Sequence, residues 1–237
     1  MPRTWARFSG GNLFTVRVLD LLCLVSSTLL LYEFVGLSRG GCSRIYRQDG
    51  GNGPLTFQVL TYMSIRGEIQ SRIWEGELFK VERQVLSDPA PRAVVVSAEI
   101  NGLIQGPWSD EKQEEAWGRL RADMESFITG APISIAKNPR KAKSAFLSRL
   151  EGERGQIWEM RHRWPKPGIR LIGGLSEKNV FVALQWALRV DLGAFGSREW
   201  RDAIEACKAE WRRKFLTWPP VSGATYEEYL SQPFLLV

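Results

Sequence analysis

Residues 157–163, IWEMRHR, and residues 168–190, GIRLIGGLSEKNVFVALQWALRV, contain the pattern that decides the fold. Both runs alternate apolar with polar or small residues, which is typical of strands that bury one face. The breaks between them, PKPG and SEKN, have turn composition and the length of hairpin loops. Strands joined by such short connections must be antiparallel. We therefore predict three antiparallel strands, Gln156–Trp164, Gly168–Leu175 and Val180–Val190.

The elements before this meander are predicted from local patterns. Residues 93–100, AVVVSAEI, are β-branched and apolar and predict a mostly buried strand, followed by a loop at 101–108. Ser109 is the predicted cap of a helix that ends at 130–132, GAP. Residues 146–150 suggest a short second helix with one apolar side. The long helix has its apolar residues at helical spacing: Trp117, Leu120, Met124, Phe127 and Ile128.

A final helix is predicted after the meander, with Ser197 as its cap. Its apolar stripe comprises Trp200, Ile204, Cys207, Trp211 and Phe215. The resulting order, β-α-α-β-β-β-α, indicates an α+β fold: a small, curved, antiparallel-rich sheet packed by two helices before the meander and one after it.

Domain organisation follows from the breaks in the chain. Two prolines in SDPAPR, residues 87–92, predict a boundary near residue 90. The domain then covers 91–237, and residues 55–90 form a connecting region that the sequence does not resolve. Residues 1–54 are interpreted as an N-terminal extension with a short apolar segment and a glycine-rich linker.

The apolar stretch of the extension, residues 21–32, has about 12 residues, whereas a bilayer-spanning helix needs ~20. Three interpretations stay open: a cytosolic helix or extension, a membrane-associated helix over residues 13–37, and a secretory signal. Met63 is an alternative start of the working protein.

Composition favours a cytoplasmic protein with an anionic partner. The net charge is +6, and the sequence has one histidine and three scattered cysteines, Cys23, Cys42 and Cys207. These counts argue against a disulfide framework and against a zinc site. We therefore predict no metal and no cofactor.

Much of the positive charge lies beside the meander. Residues 137–170 carry ten Lys or Arg and three Glu, a local balance of +7 against +6 for the whole chain. Concentrated positive charge is typical of phosphate binding, although a run of basic residues also makes an ordinary solvated face. The basic cluster assigned to RNA binding comprises Lys137, Arg140, Lys141 and Lys143.

Alternation separates the two faces of the first meander strand. Trp158, Met160 and His162 share the apolar face, whereas Glu159, Arg161 and Arg163 share the polar one. His162 is either an acid–base group, the role that histidine most often has in catalysis, or a structural residue at the strand end.

Arg170 on the second strand has apolar and small neighbours, so its charge needs a partner. That partner is either Glu159 across the strand pair or a bound phosphate. Gly173 and Gly174 indicate either a bulge or a close backbone approach. Trp164 and Trp186 are core or rim residues, or platforms for base stacking.

The element order and the local phrases resemble the RelE/ParE superfamily of bacterial toxins, including its HigB and phage-related branches. FLSRLEGERGQIWEMRHR, residues 146–163, resembles the family's short helix and following strand, of the type L-x-G-x-L-W-E-L-R. Residues 168–189 resemble its next two strands, one bearing an arginine and one hydrophobic. The resemblance covers roughly residues 93–215.

This resemblance implies a messenger RNA endonuclease, often acting at the ribosome, that a cognate antitoxin protein masks; a second branch instead poisons gyrase. By their positions in the family motif, Arg161 and Arg170 would stabilise the scissile phosphate, and Glu159 would flank them. Arg163 and Arg189 would be further RNA contacts, and His162 a candidate acid or base. The hypothesis is a metal-independent RNA-cleaving or RNA-binding toxin; a non-catalytic or gyrase-directed module and a peripheral membrane protein anchored by residues 13–37 are the alternatives.

Overall fold

The computed structural model describes residues 64–136, 144–151 and 156–237, together with the backbone of two short strands at 43–44 and 60–61. In chain order the elements are β1 (Ser43–Arg44), β2 (Leu60–Thr61), α1 (Ile65–Trp74), β3 (Leu78–Lys80), β4 (Ala93–Ser97), α2 (Ala98–Gln105), α3 (Glu111–Ile128), β5 (Ile133–Ala136), β6 (Leu147–Arg149), β7 (Ile157–His162), β8 (Ile169–Glu177), β9 (Val180–Leu188), α4 (Arg198–Phe215) and β10 (Phe234–Leu236).

The prediction of an α+β fold is confirmed, and the main sheet is larger than the meander. Its eight described strands have the order β10-β5-β6-β7-β8-β9-β4-β3. The pairs β6–β7, β7–β8, β8–β9 and β3–β4 are antiparallel, as the meander predicts for its own strands. The pairs β10–β5, β5–β6 and β4–β9 are parallel. The sheet is thus mixed, with the three predicted strands at its centre.

Helices cover both faces of this sheet. Val94 and Val96 of β4 belong to the apolar cluster that contains α2 and α3, whereas Val95 belongs to the cluster that contains α4. This is the alternation expected of a central strand that is buried on both faces. All five residues of the predicted α3 stripe and all five of the predicted α4 stripe are buried.

Two local predictions before the meander are wrong. The strand predicted over 93–100 ends at Ser97, and α2 occupies most of the predicted loop. The Ser97 side chain accepts a hydrogen bond from the Ile100 backbone amide at 3.4 Å, so the last residue of β4 also caps α2. Ile100 and Ile104, four residues apart, then bury one side of that helix.

The helix predicted around Leu147 and Leu150 is also wrong, since β6 occupies this position. Strand β6 lies between β5 and β7 and pairs with both, so hydrogen bonds from two neighbours outweigh a local helical spacing. Strand β5 has no counterpart in the prediction. The cap of α3 is shifted by one residue, because Asp110 rather than Ser109 accepts the Gln113 amide, at 2.9 Å.

The region before residue 90, which the sequence left unassigned, contributes α1 and β3. Strand β3 lies before the predicted boundary and pairs with β4 after it, so one sheet runs through the proline-rich break. Within the described ranges no helix has the length and apolarity needed to cross a membrane. Residues 13–37 and Met63 lie outside those ranges.

Candidate functional site

Glu159 and two arginines form a buried charge group at the centre of the sheet. Arg161 of β7 lies directly opposite Arg170 of β8, and Glu159 precedes Arg161 by two residues, so all three side chains share one face. One Glu159 oxygen, Oε1, lies 2.6 Å from Nη2 of Arg161 and 2.7 Å from its Nε. The other, Oε2, lies 3.2 Å from Nε of Arg170. Both guanidiniums therefore share one carboxylate.

The group is almost closed to solvent. Glu159 is 1% exposed, and the side chains of Arg161 and Arg170 are 9% and 11% exposed. The Arg170 contact is an ion pair rather than a directed hydrogen bond, because Oε2 has no hydrogen-bond partner among the described residues. Arg170 also donates to the carbonyl oxygens of His162 and Ile169, at 2.9 and 3.0 Å. Its position is thus fixed by the protein itself.

Positive charge remains in excess around this group. Burial lowers the pKa of Arg170 to about 10; Glu159 opposes that shift, and Arg161, Arg189 and Arg163 add to it. Arg170 still stays charged at neutral pH. Two arginines thus share one buried carboxylate, and two more lie near enough to disfavour the charge of Arg170 further, a setting that an added anion would relieve.

Arg163 and Arg189 lie near the surface at the same end of the sheet. Arg163 is exposed, and its guanidinium lies 3.4 Å from the carbonyl oxygen of Ala145. Arg189 donates from its side chain to the Gly193 carbonyl at 2.6 Å, and from its backbone amide to the Gly168 carbonyl at 2.8 Å. Both therefore flank the hairpin that joins β7 to β8.

His162 points to the opposite face, as alternation predicts, and it is 3% exposed. Its Nδ1 lies 2.5 Å from Oδ2 of Asp123, a residue of α3 whose side chain is 43% exposed. Its Nε2 is buried without a hydrogen-bond partner among the described residues. The contact with Asp123 favours the tautomer with hydrogen on Nδ1, which leaves Nε2 as a buried acceptor.

A cleft opens where β7 ends. Its volume is about 390 Å³, and it lies between α3, the segment before β6 and the hairpin after β7. The predicted residues Arg161, His162 and Arg163 line it, whereas Arg170 and Arg189 do not. Its full lining is Arg119, Ala122, Asp123, Ser144, Phe146, Arg161, His162, Arg163 and Trp164.

The cleft contains two charged residues that the sequence did not single out. Arg119 and Asp123 are four residues apart on α3, so they lie on the same side of the helix. Arg119 also pairs with Glu115 at 3.0 Å. Their spacing on α3 was the available signal, but nothing in the sequence indicated that this helix side meets the end of β7.

Trp164 and Trp186, which the sequence predicts to be either packing residues or base-stacking platforms, have different environments. Trp186 stacks edge-on against Trp117 with ring centroids 5.1 Å apart and donates to Glu99 at 2.8 Å, so it is a packing residue. Trp164 is 61% exposed and lines the cleft. Lys166 lies over its ring, with Nζ 5.4 Å from the centroid.

Lys137, Arg140, Lys141 and Lys143 lie outside the described residues. Within the described part of the chain, no group of three His, Cys, Asp or Glu side chains is arranged to hold a metal ion. Comparison of the chain with protein-family models, with curated proteins and with solved structures gave no match.

Proposed function

We propose that this protein binds and cleaves messenger RNA in the manner of a RelE/ParE-like toxin and is neutralised by a cognate antitoxin protein. The observation that carries the proposal is the excess of arginine at the β7–β8 end of the sheet. Arg161 and Arg170 pair there with Glu159, and Arg163 and Arg189 flank the adjoining hairpin beside the open cleft. A phosphate backbone is the polyanion that such a group fits.

The arginines would act on RNA in two ways. Arg163 is exposed and can pair with a phosphate in the fork geometry of a guanidinium. Arg161 also lines the cleft, while Glu159 holds its guanidinium, so it would contribute positive potential to the site without pairing directly. Fixed cations of this kind stabilise the extra negative charge of a phosphorane transition state, so the scheme includes no metal step.

The described site offers one candidate, His162, for the proton transfers of RNA cleavage. Ribonuclease chemistry needs a base for the 2′-hydroxyl and an acid for the leaving oxygen. His162, oriented by Asp123, is the candidate, but its Nε2 is buried. The geometry therefore supports phosphate binding and charge stabilisation more directly than it supports acid–base catalysis by His162.

A second function, a non-catalytic or gyrase-directed module of the same type, is favoured by one observation. The two arginines that the resemblance assigns to catalysis are both engaged by Glu159, and Arg170 is also hydrogen-bonded to backbone carbonyls. A charge group satisfied in this way is what a structural role would require.

Expression of the full chain in a bacterial host tests the proposal through growth and the integrity of messenger RNA. The wild-type chain should arrest growth and fragment RNA. Arg163→Ala and the double variant Arg161→Ala/Arg170→Ala should each reduce both effects. Arg163→Ala is easier to interpret, because the double variant leaves Glu159 buried without its partners and can destabilise the fold. Circular dichroism checks that the double variant is folded.

Arg212→Ala is the matched control, since Arg212 is an exposed arginine near the far end of α4. It should leave growth arrest and RNA fragmentation unchanged. Growth arrest with intact RNA would contradict RNA cleavage and favour the second function. Normal growth with intact RNA would overturn both functions.

A further inference from the structure

Trp164 is exposed, whereas four of the other eight tryptophans in the described ranges are buried: Trp117, Trp158, Trp200 and Trp211. Among the described tryptophans only Trp74 and Trp164 have exposed fractions above one half, 83% and 61%. Trp74 ends α1, away from the cleft, whereas Trp164 lines it together with Arg161 and Arg163. The Lys166 ammonium lies over the Trp164 ring, 5.4 Å from its centroid, and an exposed aromatic ring among cations is a surface on which a ligand can stack.

The hairpin after β7 constrains the backbone that follows Trp164. Pro165 and Pro167 follow it within three residues, and each ring fixes its own φ angle. Gly168 has a φ of +74°, and a Cβ there would lie 2.8 Å from the carbonyl oxygen of His162. The Gly168 amide donates to Pro165 at 3.0 Å and closes the turn. A ring presented by such a turn loses little conformational entropy when a ligand covers it.

The surroundings of Trp164 fit a nucleotide better than an apolar partner. Arg119, Arg161 and Arg163 line the same cleft, with Asp123 as its acidic residue. Its volume of about 390 Å³ lies within the range of small-ligand sites. An aromatic ring beside cations is the arrangement with which single-stranded nucleic acids are bound, the base on the ring and the phosphate on the cation.

We propose that Trp164 is a stacking platform for an unpaired base of the RNA, with the adjoining phosphate on Arg163. This inference rests on the proposed function and adds the residue that holds a base of its substrate. Double-stranded RNA does not fit the site, because its bases are stacked inside the helix and it offers phosphates and 2′-hydroxyls instead.

Fluorescence anisotropy of labelled oligonucleotides with the full chain tests the inference. Three probes are used: a single-stranded RNA, an abasic version with the same phosphates, and the corresponding duplex. The wild-type chain should bind the first most tightly. Trp164→Ala should weaken that binding by about tenfold, within the usual effect of removing a stacking residue, and Trp164→Phe should retain most of it. Trp74→Ala, the matched exposed tryptophan, should bind as wild type.

The three probes separate failure of the inference from failure of the proposed function. Equal binding of the abasic and the base-bearing strand, or wild-type binding by Trp164→Ala, would overturn the stacking role. If binding in that case still depends on Arg163, the proposed function survives. A wild-type chain that binds none of the three probes would overturn both. Because Trp164 is largely exposed, its variants should have the thermal midpoint of the wild type, which circular dichroism verifies.

Discussion

At the scale of single residues, Glu159 determines how the charged centre of the sheet is arranged. Alternation predicted that it shares a face with Arg161, and the hairpin register places Arg170 beside both. The sequence could not decide whether a carboxylate or a phosphate would partner the arginines. The structure places Glu159 against both guanidiniums, within 3.2 Å, while the cluster as a whole keeps an excess of positive charge.

Replacing Glu159 tests its structural role. Glu159→Gln removes the carboxylate between two nearly buried guanidiniums, and we expect it to lower the free energy of unfolding by about 3 kcal/mol, as the loss of one partner from a buried ion pair does. Urea unfolding at neutral pH measures the change. Glu205→Gln is the control: this carboxylate is 63% exposed and pairs with Lys208 on the helix surface, so the change should stay within about 0.5 kcal/mol. Equal stability of the two variants would contradict the central role of Glu159.

At the scale of elements, the β8–β9 hairpin depends on a glycine. The sequence predicted either a bulge or a close backbone approach at Gly173 and Gly174, and both are present. The pairing register shifts between Ile172 and Gly173. A Cβ at Gly173 would lie 1.9 Å from the carbonyl oxygen of Val182, and one at Gly174 would lie 2.8 Å from Pro220. Both glycines are therefore required by packing and not by a turn.

Gly173→Ala should thus destabilise the protein by about 2 kcal/mol or more, because the backbone of β9 would have to move. Gly118→Ala is a matched control with the opposite sign. Gly118 lies inside α3, where an added Cβ would meet nothing within 4 Å. Alanine there should stabilise the helix by about 0.5 to 1 kcal/mol. Thermal and urea unfolding give both values, and a stable Gly173→Ala variant would contradict the described register.

The elements also show where sequence reasoning succeeds and where it does not. The meander, α3 and α4 were predicted because their periodicity extends over many residues and matches the face that each one buries. Strands β5 and β6 were not, since they are only four and three residues long and owe their conformation to neighbouring strands. The same limit applies to the site: Arg161 and His162 follow from one strand, whereas Asp123 and Arg119 reach the cleft only through the packing of α3 on the sheet.

At the scale of the whole molecule, positive charge lies at the end of the central strands. The net charge of +6 does not itself identify a ligand. What makes RNA the specific expectation is the combination of an arginine-rich group, an open cleft and an exposed tryptophan at one end of the sheet. The central claim is that these arginines contact phosphate.

The salt dependence of RNA binding measures that contact most directly. Each phosphate contact with a single strand contributes about −0.7 to the slope of log K against log salt concentration. For the full chain and a single-stranded RNA, we predict that Arg163→Ala reduces the steepness of this slope by about 0.7 relative to wild type, whereas Arg212→Ala leaves it unchanged. An identical slope for wild type and Arg163→Ala would contradict the central claim.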